Sequence, residues 1–98
     1  MGMVTFVDET TAGERLGSVG VSVTEERLPL RELIRRRVGQ EAPGEGADAA
    51  YERALEAFGR NGFLVLVGER QITELDEVVR LAETTEVTFL KLVPLVGG

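Results

Sequence analysis

The chain has 98 residues, enough for one domain with a single modest core, and its 43% hydrophobic and 29% charged residues are the mix of a folded protein rather than a disordered one. A formal net charge of -6 argues against nucleic acid and against an anionic membrane surface as partners. The absence of Cys and His removes disulfides, Cys/His metal sites, thiol catalysis and imidazole acid–base chemistry.

No run of about 18 apolar residues is present, so no membrane span is expected. The start, MGMVTFVDE, lacks the basic and apolar regions of a signal peptide, and Phe6 stands where a myristoylation start needs Ser or Thr. A cytoplasmic protein is the expectation. The basic residues are ten Arg and one Lys, Lys91. Genomic base composition or heat adaptation accounts for that bias, as does a protein handled by amine-directed ligases.

In chain order, Val4-Thr5-Phe6-Val7 is a short β run with Val4 and Phe6 on one side. Residues 8–15 have turn composition. From Leu16 to Thr24 the sequence alternates, with Val19, Val21 and Val23 on one face and Ser18, Gly20 and Ser22 on the other. The two runs predict a hairpin. Pro29 marks the first turn of a helix reaching about Val38, with Leu30, Leu33, Ile34 and Val38 as its apolar stripe and Gly39 as its C-cap. Arg35, Arg36 and Arg37 near its end complement the helix dipole, and Arg37 falls within the stripe, where its stem snorkels.

Residues 40–46 form a loop, and Asp48 is placed to cap a second helix over about 48–58. Tyr51, Ala54, Leu55 and Phe58 follow helical spacing, and Gly59 closes it. Phe63 to Val67 is a continuous apolar run, the central buried strand by content. A turn at Gly68-Glu69-Arg70 leads to a short edge strand at Gln71-Ile72. Leu75, Val78, Val79 and Leu81 suggest one helical turn. The last strand, Glu86 to Val93, ends at Pro94, and Leu95-Val96-Gly97-Gly98 follows. A hairpin, a helix across it, and a last strand able to pair in parallel with the first describe an α+β mixed sheet grasping a helix.

In this order the elements resemble the ubiquitin-like β-grasp superfamily, which includes ubiquitin and the sulfur carriers of molybdopterin and thiamine synthesis. Leu64 to Ile72 looks like the ubiquitin stretch where an apolar strand meets a Gly-centred turn and a short strand. Glu86-Val87-Thr88-Phe89 followed by Pro94-Leu95-Val96-Gly97-Gly98 is similar to the sulfur-carrier ending, an acidic-Val strand start and then P-x-x-G-G. Two extra residues separate those parts, ubiquitin-type tail arginines are missing, and residues 39–61 have no counterpart in compact members, which points to a bacterial ubiquitin-like group.

The resemblance implies a β-grasp domain over residues 1–93, with an extra helix inserted before the central strand, and a flexible Gly-Gly tail over 94–98. It also implies a mechanism. An E1-like enzyme adenylates the Gly98 carboxylate with ATP, and the activated carbonyl passes to a Cys as a thioester or to a sulfur donor as a thiocarboxylate. Gly97 lets the tail thread a narrow channel, and Pro94 releases it from the sheet. An E2-like enzyme and a JAB-type protease are further expected partners. The chain itself is a substrate and carrier, with no catalytic residue, metal or bound cofactor of its own.

With Leu64 and Leu66 taken as inward by analogy with ubiquitin, Val65, Leu90 and Leu92 form an outward apolar patch for partner binding, unless the second helix covers that face. Lys91, by parity, points to the core side. Three functions remain open: a protein modifier joined to targets through Gly98, a sulfur carrier, and a non-conjugated interaction module. The extra helix and long final strand favour the first; P-x-x-G-G favours the second. An acyl carrier is excluded, because Ser18 and Ser22 lie in a strand.

Overall fold

A computed structural model describes residues 2–41, 44–81 and 84–91. It is an α+β arrangement with a mixed five-stranded sheet and two helices. Strands β1 (Gly2–Thr10) and β2 (Arg15–Val23) form the expected antiparallel hairpin. In its turn the Thr10 hydroxyl oxygen accepts from the backbone N–H groups of Ala12 and Glu14. Strand β7 (Thr84–Lys91) lies parallel to β1 on the other side, and β4 (Phe63–Val67) and β5 (Arg70–Ile72) complete the order β2-β1-β7-β4-β5. The turn from β4 to β5 has Gly68 at φ +63, the left-handed conformation a two-residue hairpin needs at its first position.

Helix α1 (Leu30–Glu41) crosses one face of the sheet. Its predicted stripe holds: Leu30, Leu33 and Ile34 are buried, and Val38 packs against the same core. They meet Val4 and Phe6 of β1, Val65 of β4, Ile72 of β5, and Val87 and Phe89 of β7. Each fully buried side chain of this kind contributes about 1.5–3 kcal/mol from leaving water. Phe89 is the hinge of an aromatic row, with ring centroids 5.8 Å from both Phe6 and Phe63. Helix α2 (Ala47–Gly59), entered through a short 3₁₀ turn at Gly44–Gly46, continues the row through Phe58, 5.8 Å from Phe63, and buries Tyr51.

Several local expectations are corrected. Pro29 ends a three-residue strand, β3 (Arg27–Pro29), rather than opening the helix. Residues Val78–Arg80, read as a helical turn, are strand β6, paired antiparallel with β3 in a separate ribbon that buries Leu28 and Val79. The segment before β6 caps α1 through its backbone. Leu30 N–H donates to the Glu77 carbonyl at 2.9 Å and Arg31 N–H to the Leu75 carbonyl at 3.0 Å, so the helix needs no side-chain cap there. Gly39 lies inside α1 and Gly59 inside α2. The left-handed residue ending α2 is Asn61, at φ +59; its N–H donates to the Phe58 carbonyl and that of Gly62 to the Ala57 carbonyl, a Schellman closure. Asp48 stands in the first turn of α2, and Gly46 takes the cap position without a side-chain bond. The strand at the middle of the sheet is β7, not β4. Described residues of β7 begin at Thr84, two positions before the expected start.

Arginines fasten α1 to its surroundings. Arg36 donates to both carboxylate oxygens of Glu25, at 3.0 and 2.6 Å, just past the end of β2, and its Nε reaches Glu32 at 3.3 Å. The Arg36 hydrogen bonds, aided by a backbone N–H, hold the Glu25 carboxyl at about 2, below the usual glutamate range. A depressed carboxylate stabilises the fold above its unfolded pKa, and that contribution disappears as pH falls toward the folded value. Glu25→Gln is therefore expected to flatten the fall in unfolding midpoint between about pH 4.3 and about pH 2, measured by urea denaturation across that window.

Candidate functional site

Among the described residues the helices leave one sheet face uncovered, and β7 ends at Lys91, just before residues 92–98 in sequence. Both α1 and α2 pack on the side of Phe6, Val65, Val87 and Phe89. The register then defines the opposite face row by row. Val7 stands across from Ser18 and Thr88, Thr88 from Leu66, and Leu66 from Gln71. In the next row Leu90 lies between Glu9 and Leu64. Val7 and Thr88 are buried at the centre, while Leu64, Leu66 and Leu90 are half-buried around them. Glu9, with Arg15 at 4.0 Å, and exposed Glu86 give the face a charged rim.

This corrects one proposed patch residue. Val65 is fully buried on the helix side, because antiparallel pairing sets it opposite Phe89, and opposite residues share a face. Leu64 and Leu66 point outward in its place. A one-residue shift in strand parity exchanges the whole set. The apolar run from Phe63 to Val67 carries no alternation that reveals the parity; pairing with β7 supplies it. Leu90 lies on the open face as expected. Leu92, Pro94, Gly97 and Gly98 lie outside the described residues. The second helix does not cover the open face among the described residues.

Lys91 keeps the core-side parity but is exposed. Its carbonyl accepts from Thr11 N–H at 3.0 Å, fixing the strand end against the first hairpin. Beneath it is a cavity of about 130 Å³ lined by Ile34, Val38, Ala54, Phe63 and Phe89, together with Asp8, Arg37 and Lys91. Arg37 donates to the Asp8 carboxylate across this pocket edge, which explains an arginine inside the apolar stripe of α1. No helix among the described residues is long and apolar enough to cross a membrane.

No protein-family model matches the chain, and no curated protein matches it significantly in sequence. The parity of β4 has a direct test. Val65→Ala should cost about 2 kcal/mol in urea unfolding and Leu66→Ala less than about 1 kcal/mol, with unchanged denaturant slopes. The reverse order would put Leu66 in the core.

Proposed function

We propose that the chain is a β-grasp protein of the ubiquitin-like kind and acts as a modifier, adenylated at Gly98 by an E1-like enzyme and passed through thioesters to target proteins. The observation that carries this is the strand order β2-β1-β7-β4-β5 with β1 and β7 parallel at its middle, because the strand leading to Pro94 and Gly97-Gly98 is then anchored on both edges. An activating enzyme can pull on the tail without unzipping the domain. Activation requires a free carboxylate at Gly98, ionised near neutral pH. Attack of a carboxylate oxygen on the α-phosphate of ATP releases pyrophosphate and leaves an acyl adenylate; a cysteine thiolate then displaces AMP to give the thioester. Gly97 and Gly98, lacking Cβ atoms, suit close passage through a narrow channel.

On this proposal the open face, with Leu64, Leu66 and Leu90 around Val7 and Thr88, is the recognition surface for the activating enzyme or for readers of the conjugate. An E2-like enzyme and a JAB-type protease are the further partners, in the cytoplasm. A second function, a sulfur carrier with a thiocarboxylate at Gly98, is favoured by one observation, the P-x-x-G-G spacing of Pro94, Gly97 and Gly98.

Intact mass spectrometry after incubation with ATP, a cognate E1-like enzyme and a sulfur donor distinguishes them. An adduct equal to the two partners less one water supports the modifier, and a gain of about 16 Da, sulfur for oxygen, supports the carrier. Removal of Gly98 should abolish either product. Unchanged mass with Gly98 intact overturns both.

A further inference from the structure

The β3–β6 ribbon sets two like charges face to face. Arg27 and Arg80 are direct cross-strand partners, and both are exposed. Like charges in this position destabilise a ladder, because opposite residues on one face stand only about 5 Å apart. Among the described residues neither arginine has an ion pair, whereas Arg31, Arg36, Arg37 and Arg70 each sit on a carboxylate. Among the described residues flanking the ribbon, Glu25 pairs with Arg36, Asp76 with Arg31 and Glu77 with Arg70. Glu26, exposed beside Arg27, forms no ion pair with either arginine. Next to the two guanidiniums, Pro29 lies across from Val78, which is 53% exposed. The inward residues, Leu28 and Val79, are buried and anchor the ribbon.

We propose that the outer side of the β3–β6 ribbon docks an acidic, extended segment of a partner protein, with carboxylates on Arg27 and Arg80 and an aliphatic side chain over Pro29 and Val78. Charge complementarity selects this occupant. Two guanidiniums with no ion pair among the described residues form a fork for carboxylates, and the apolar ledge of Pro29 and Val78 beside them suits a peptide side chain. The ribbon is a separate sheet from the five-stranded one, so this contact is distinct from the open face and does not depend on chemistry at Gly98.

The test is a ¹⁵N-amide chemical-shift titration of the full chain with a blocked Glu-Ser-Glu-Ser-Val peptide, whose alternate residues put both carboxylates and the valine on one face of an extended chain. Saturable shifts are expected at Arg27, Val78, Val79 and Arg80, weakening as salt rises from about 50 to about 300 mM. Combining Arg27→Glu with Arg80→Glu should lower affinity at least about tenfold. Arg80→Glu alone replaces a repulsive cross-strand pair with an attractive one, so it should weaken peptide binding and raise the thermal midpoint together. A lowered midpoint would show that Arg80 serves the fold and would overturn the proposal. So would an absence of saturable shifts, shifts centred on Leu66 and Leu90, affinity unchanged in the double variant, or tighter binding of oligodeoxythymidine at the same residues.

Discussion

Everything in this fold depends on the parallel pairing of β1 with β7. The register from Met3↔Thr84 to Thr10↔Lys91 joins two hairpins, β1–β2 and β4–β5, that otherwise share no strand. A parallel pair needs a crossover, and the crossover is most of the chain. Burial at the centre follows from that position. Phe6 and Val87 face the helices, while Val7 and Thr88 are buried on the opposite side.

Helix α1 is held above this seam by apolar contact and located by arginines. Arg31, Arg36 and Arg37 reach three different parts of the chain: Asp76 before β6, Glu25 after β2, and Asp8 on β1. The first is exposed and its net contribution is small in water. The Arg37–Asp8 pair is mostly withdrawn from solvent, at 14% and 17% side-chain exposure, and loss of one partner there strands a charge. Thus hydrophobic burial supplies the bulk of the stability, and the ion pairs specify how the helix is oriented on the sheet.

Much of this was legible in the sequence, and the misses have physical causes. Val19, Val21 and Val23 alternate with small residues, so their faces were readable. Leu30, Leu33 and Ile34 have helical spacing, and that spacing alone marks the buried stripe of α1. Phe63 to Val67 is apolar at every position, so periodicity is silent about which residues point inward, and nothing in the run shows that Val65 faces the helices. Strands of three residues, such as β3 and β6, are too short to show a period; Pro29 then imitates a helix start and Leu75 to Leu81 a helical turn. Gly39 and Gly59 looked like helix ends because glycine prefers them, but Asn61 met the left-handed requirement that closes α2. At the candidate site, Leu90 on the open face was readable from strand parity; Leu64 and Leu66 required the pairing partner.

The β1–β7 seam also dictates when the fold can close. Its partners stand roughly 80 residues apart, so the ladder that unites the sheet forms only after nearly the whole chain is available. Until then β1 and β4 each present an unpaired edge, and the two hairpins are separate pieces. The loop-closure entropy of that span must be met before any seam contact offsets it, and it grows only slowly with length. Completion of the sheet is therefore tied to residues 84–91, and a chain interrupted before them is left with two hairpins that nothing joins.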